Sequence, residues 1–302
     1  NPNDPSSSDD GFLGIPTSEK DSKVILIPLP FEATTSYLGG TANGPAQVLN
    51  ASHQLDLYHP LAPQAWKSGI FMRPAYSKIY EWNEEAKSLV KDVRDGHPEA
   101  ASETELINEI GEKMALWLKN EVQQLLEDGK IVGCIGGDHS VPLGSLLAYA
   151  ERFPQMGVLH IDAHYDLRKA YEGFQHSHAS IMYNVLERCP DVSLTAVAIR
   201  DFCEEEAERV QSNSRIHSFT DFDLFEKKAE GQNWKDICHE IVESLPEQVY
   251  VSFDIDGFNP ALCPSTGTPV PGGLNFEEAR YLLQNLVRAN KKVIGFDLCE
   301  VG

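Results

Sequence analysis

Short apolar runs and amphipathic helical patterns alternate along most of this chain, and that alternation constrains its fold more than any other feature. Apolar runs recur at 24–29, 131–135, 157–161, 194–199, 248–253 and 293–298. Helical patterns lie between or beside them near 142–152, 179–188, 203–211, 234–244 and 275–289. The strongest helix is expected over 103–128. There Ser102 and Glu105 form a capping-box pattern, Leu106, Ile107, Ile110, Met114, Trp117, Leu118, Val122 and Leu125 share one face, and Gly129 closes the helix. Pro45, after a glycine-rich loop at 39–44, suits the first turn of another helix. Strand–helix alternation of this kind predicts an α/β fold, a mainly parallel sheet with helices on both faces. Residues 1–22 carry few large apolar side chains and read as a flexible tail, leaving 23–302 as a single domain. The stretch 61–100 reads as an irregular excursion.

In such sheets the ligand site lies beyond the carboxyl ends of the strands, and the chemistry of this sequence collects there. The run at 131–135 is followed by Gly136-Gly137-Asp138-His139-Ser140, and that at 157–161 by Asp162-Ala163-His164-Tyr165-Asp166. The run at 248–253 is followed by Asp254-Ile255-Asp256-Gly257, and the last strand runs into Cys299-Glu300. An extended backbone would aim Asp162, His164 and Asp166 the same way, and likewise Asp254 and Asp256. With His139 they make a donor set of four carboxylates and two imidazoles. Taken singly, each segment has an ordinary explanation as a turn, a helix cap or solvated polar residues. Three of them placed directly after buried strands call for a common cause. Clustered carboxylates repel one another unless cations are present. Oxygen and nitrogen donors without sulfur suit Mn²⁺, Ni²⁺ or Fe²⁺, with Zn²⁺ allowed and Ca²⁺ disfavoured by the histidines. Six donors exceed the needs of one tetrahedral ion, so two divalent ions sharing carboxylates are expected.

Charge narrows the partners. The 302 residues hold 25 Lys+Arg against 46 Asp+Glu, a net charge of −21. An excess of that sign repels nucleic acid and anionic membranes. No apolar run approaches the ~18–20 residues that span a bilayer, and the first ten residues lack the layout of a signal peptide. The six cysteines are widely spaced and partly inside apolar runs, which fits reduced thiols and a cytoplasmic setting.

Together, Gly-Gly-Asp-His-Ser, Asp-Ala-His-x-Asp and Ser-Phe-Asp-x-Asp-Gly resemble the signature segments of the ureohydrolases, the arginase and agmatinase family. The resemblance extends over nearly all of 24–302. It implies a three-layer α/β/α sandwich, trimeric or hexameric assembly, and hydrolysis of a guanidino C–N bond with release of urea. It also implies manganese as the metal, with nickel as an alternative. By that resemblance His139 and Asp166 serve one ion, His164 and Asp256 the other, and Asp162 and Asp254 both. Asp166 would orient the attacking hydroxide and carry a proton to the leaving nitrogen. His178, preferred over His176 on spacing, would relay protons and face the substrate, and Glu300 would hold the guanidinium.

Departures from the family pattern concern specificity. Asn259-Pro260 stands where Asp-Pro is usual, and the loop at 40–45 lacks the arginine common in agmatinases. The Ser-Gly-Asn segment of arginases is replaced by a basic and aromatic loop, Leu167-Arg168-Lys169-Ala170-Tyr171. Ending at Gly302, the sequence reads as C-terminally incomplete against the resemblance. The expected substrate is a small cationic guanidine, agmatine or free guanidine, with guanidino acids behind. The competing readings are a mononuclear zinc deacetylase of related fold and a non-catalytic scaffold relative.

Overall fold

The computed structural model describes residues 11–302. Among them, eight strands form one parallel sheet: β1 (Val24–Leu29), β2 (Ile70–Met72), β3 (Ile131–Gly136), β4 (Gly157–Ile161), β5 (Ser193–Val197), β6 (Ile216–Phe219), β7 (Gln248–Asp254) and β8 (Lys292–Cys299). The helices are α1 (Gly44–Ser52), α2 (Ser77–Arg94), α3 (Ala100–Glu127), α4 (Leu143–Arg152), α5 (Ile181–Arg188), α6 (Glu204–Ser212), α7 (Asp221–Ala229), α8 (Trp234–Glu243) and α9 (Phe276–Arg288). None of the helices is long and apolar enough to cross a membrane. All six cysteines are free thiols.

Neighbouring residues of one strand feed different cores. Val158 of β4 packs with Ile110, Leu118, Leu146 and Met182, from α3, α4 and α5. Leu159 and Ile161 pack with Leu224, Ile237, Ile241 and Leu282, from α7, α8 and α9. Period-two side chains buried on both faces are the reason these strands read as continuous apolar runs. The result is the α/β/α layering expected from the sequence.

Strand order places the site. The sheet runs β2-β1-β3-β8-β7-β4-β5-β6, so β3, β8, β7 and β4 are contiguous at its centre. These are the strands whose exits carry His139, Glu300, Asp254 and Asp162. Register keeps the exits level: Ile161 pairs with Phe253, and Asp254 with Cys299. Long crossovers in sequence thus bring distant motifs to one rim.

Several local expectations are corrected. The stretch 61–100 contains β2 and α2. Its helix buries Ile79, Asn83, Ala86 and Val90, a thin stripe whose polar member, Asn83, accepts the Glu32 N–H. Helix α3 starts at Ala100, and the Ser102 hydroxyl donates to the Glu99 carbonyl, so no capping box forms with Glu105. Leu106 lies outside the buried face, 45% exposed. Strand β6 and helix α7 were not expected. Of the proposed tail, residues 1–10 lie outside the described residues. Residues 11–22 pack in place: Ile15 and Ser22 are buried, and the Leu13 N–H donates to Ser52 Oγ.

Candidate metal centre

At the β3 exit, Gly137 passes so close to Phe31 that a Cβ would sit 1.9 Å from its carbonyl oxygen. Only glycine permits that approach. The chain then turns, and the Asp138 carboxylate accepts the Ser140 N–H. This presents His139, 1% exposed, to the rim. Its Nδ1 lies 2.9 Å from Asp162 Oδ2, 3.2 Å from Asp166 Oδ2 and 3.3 Å from Asp254 Oδ2. Its Nε2 lies 2.9 Å from Ser252 Oγ, which donates to Asp297 Oδ1. Because the serine proton is committed to Asp297, Nε2–H is the donor to Ser252, and Nδ1 is the ring atom turned to the carboxylates.

The β4 exit does not continue as an extended strand. Asp166 has φ +54°, so Asp162, His164 and Asp166 converge through a bend and not through strand alternation. Asp162 Oδ1 accepts the His164 N–H, and Asp256 Oδ1 accepts the Ala163 N–H. At the β7 exit, Asp254 and Asp256 likewise share a tight turn: Asp254 Oδ1 accepts the Asp256 N–H at the start of a 3-10 turn over Ile255–Gly257. A Cβ on Gly257 would lie 2.8 Å from the Asp162 nitrogen, so glycine lets this turn press against β4. His164 Nδ1 then sits 3.3 Å from Asp162 Oδ1 and 3.2 Å from Asp256 Oδ2.

Two donor groups result. Asp162 Oδ2, Asp166 Oδ2 and Asp254 Oδ2 gather around His139 Nδ1. Asp162 Oδ1 and Asp256 Oδ2 gather around His164 Nδ1. The donor atoms of His139, His160, Asp162 and Asp166 form one compact set, and those of Asp162, His164 and Asp256 another. All six expected donors are therefore together, and Asp162 faces both sets with different oxygens. This donor chemistry fits a pair of divalent ions.

Electrostatics agree with a site that calls for positive charge. Burial, with Asp256 and Asp162 beside it, pushes the Asp254 carboxyl well above the usual range. Burial and the Asp162 charge push Asp166 up to about 6. Burial would depress His139, but hydrogen bonds to Asp162, Asp166, Asp254 and Asp297 outweigh it and hold the imidazole well above 6.5. His164 is raised in the same way by Asp162 and Asp256. Imidazolium protons here balance carboxylates that cations would otherwise balance.

A cleft of about 370 Å³ opens onto His164 and Asp166. His178 is part of its wall, 3.5 Å from both Thr34 Oγ1 and Ser36 Oγ, and burial lowers its pKa to about 4. His176 instead faces α3, with Nε2 3.2 Å from Glu112. Arg168 borders the cleft too, with its guanidinium 3.6 Å from the buried Glu206 carboxylate and over the Tyr171 ring. Asp201 is the exposed acid of the same wall. Glu300 is buried and is not among the residues that line the cleft. Its Oε1 accepts the His139 N–H, while Oε2 has no hydrogen-bond partner among the described residues.

Sequence reasoning overlooked His160 and Ser252, and placed Asp297 at the rim without a role; all three brace the donors from within the strands. His160 Nε2 is 2.8 Å from Asp162 Oδ2. Ser252 is cross-strand neighbour to both His160 and Asp297. The available signal was a polar side chain inside each otherwise apolar strand, since buried polar groups need partners.

Comparison with known proteins agrees with this geometry. The chain is 33% identical to an N(1)-aminopropylagmatine ureohydrolase of Synechocystis over 287 residues, covering 94% of this chain and 83% of that protein. It is 27% identical to a Bacillus anthracis agmatinase, covering 96% and 87%. In fold it is similar to the agmatine ureohydrolase of Thermoplasma volcanium (TM-score 0.71, 22% identity, 95% and 84% covered). It is also similar to proclavaminate amidino hydrolase from Streptomyces clavuligerus (TM-score 0.74, 22% identity, 99% and 90% covered). The arginase family model matches residues 22–302, and the chain belongs to the arginase family, the ureohydrolases.

Proposed function

We propose that this protein is a binuclear-metal hydrolase that cleaves the guanidino C–N bond of a guanidinoalkylamine, agmatine or its aminopropyl extension, and releases urea. The observation that carries the reading is the Asp162 carboxylate, turned with one oxygen toward each of two histidine-containing donor groups. A single-zinc deacetylase would leave one of those groups without a use, and a scaffold relative would have no need of either. The names of the relatives support the substrate class.

Divalent ions bound by these residues supply Lewis acidity and a water acidic enough to attack at neutral pH. The residues of the chain do the rest. Glu300, whose Oε2 is buried and unpartnered, accepts N–H groups of the flat guanidinium. Asp166 orients the attacking water and takes up its proton, which passes to the leaving nitrogen. Water adds to the guanidino carbon, the bond to the alkylated nitrogen breaks, and urea and the protonated amine depart. His178, neutral at pH 7, exchanges protons along the cleft wall.

Cleft charge bears on the tail of the substrate. Arg168 borders the cleft with its guanidinium turned toward Glu206 and Tyr171. With Arg168 paired to Glu206, the more exposed Asp201 carboxylate on the same wall favours an ammonium over a carboxylate. Manganese is the proposed metal, nickel the alternative, and a trimer or hexamer the proposed assembly.

Urea release from a panel of agmatine, N(1)-aminopropylagmatine, free guanidine, arginine and guanidino acids, with Mn²⁺ or Ni²⁺ added, tests the proposal. The expected result is turnover of the guanidinoalkylamines. Turnover of free guanidine alone would overturn the substrate class, and no urea from any compound with either metal would overturn the activity.

A further inference from the structure

Arg200 follows β5 and plays no part in the reading so far. Its guanidinium is turned inward, and its hydrogen-bond partners are carbonyl oxygens. Nη2 donates to the carbonyls of Asp256 at 2.6 Å, Val270 at 3.0 Å and Phe258 at 3.2 Å. Nε also donates to Val270, and Nη1 to Ala198. The backbone completes the arrangement: the Arg200 and Asp201 N–H groups both donate to the Ala163 carbonyl, between Asp162 and His164. One residue therefore ties the β4 exit, the β7 turn and the Val270 segment of the cleft wall. Only a planar fork of five donors can serve so many carbonyls at once.

The ties are lopsided. Asp256, held by its carbonyl, points Oδ2 at His164 Nδ1, and Thr268 Oγ1 on the adjoining wall reaches the same carboxylate at 3.4 Å. None of the hydrogen bonds of Arg200 reaches His139 or Asp166, which are braced by Glu300 and Ser252 and by the fold of their own loop. We infer that Arg200 is a positioning residue for one cation of the pair, the one held by His164 and Asp256, and leaves the other almost untouched. This inference rests on the binuclear reading above. Arginine is required because the groups to be fixed are neutral carbonyls pointing inward from three separate segments.

The test is Mn²⁺ binding by the full chain, followed by equilibrium dialysis and by the electron paramagnetic resonance signal of a coupled manganese pair. Wild type should take up two ions. Arg200→Met should bind its first ion with unchanged affinity and its second ~10–100-fold more weakly, losing the coupled-pair signal. Arg200→Lys, with three donors, should fall between, and it carries the test alone should Arg200→Met not fold. Equal weakening of both ions, or wild-type binding by the variants, would overturn the inference. Wild type that takes up fewer than two ions would instead overturn the binuclear reading.

Discussion

Asp162 is the residue on which the site turns. It is fully buried, it touches His139, His160 and His164, and it faces both donor groups. Asp162→Ala should therefore abolish binding of both ions and all turnover, whereas Asp256→Ala should cost one ion; metal analysis of the dialysed variants distinguishes the two outcomes. His178 behaves differently because it lines the cleft without joining the donor sets. Its folded pKa of about 4 lies below the ordinary 6.5, so the unfolded chain binds more protons between those values. The stability that comes from its neutral form is complete above pH 6.5 and is lost as pH falls toward 4. His178→Ala should keep both metals, lower kcat ~10²–10⁴-fold, and flatten the part of the stability profile between pH 6.5 and 4. At this scale the donor identities were legible because each motif directly follows an apolar run. The way they converge was not: the left-handed turn at Asp166, whose carbonyl accepts the Tyr183 N–H, and the capped turn at Asp254, which leads to Asp256 and its bond from the Ala163 N–H, rest on partners remote in sequence.

Among elements, the central strands were readable to within a residue or two because both faces are buried and their runs are mostly apolar. The short edge strand β2 and half-polar β6 offer no such run, and α2 uses Asn83 and Ala86 where a sequence pattern looks for large apolar side chains. Helix α3 shows the limit of local capping signals: its N-terminal turns lie beside α2 and the loop at 173–176, and the Ser102 hydroxyl bonds backward to Glu99. Helix α4 is locked to β3 by one hydroxyl. Tyr149 is fully buried, and its oxygen accepts the Val132 N–H at 2.9 Å. Its ring fills the space above Gly295, where a Cβ would lie 2.3 Å from the ring. Tyr149→Phe leaves that N–H unpaired and should cost about 1–3 kcal/mol, seen as a lower denaturant midpoint with kcat/KM nearly unchanged. A fall in kcat/KM with the midpoint unchanged would contradict a purely structural role.

Across the whole molecule, the net charge of −21 and the buried carboxylates at the sheet's rim act in the same sense. Both make the folded chain a better host for divalent cations than the unfolded one. Cations that bind only the folded state add stability by mass action, about 4 kcal/mol at a thousandfold excess over Kd. Chelation should therefore lower Tm, and Mn²⁺ should restore it in a concentration-dependent way that Asp162→Ala abolishes. The layered architecture followed from strand–helix alternation, while the strand order that sets β3, β8, β7 and β4 side by side is long-range information that no local pattern carries. Diffraction from Mn²⁺-soaked crystals, collected at the manganese edge, addresses the central claim most directly. Two anomalous peaks about 3.5–4 Å apart should flank Asp162, one toward His139 and Asp166, the other toward His164 and Asp256; a single peak, or peaks away from Asp162, would contradict it.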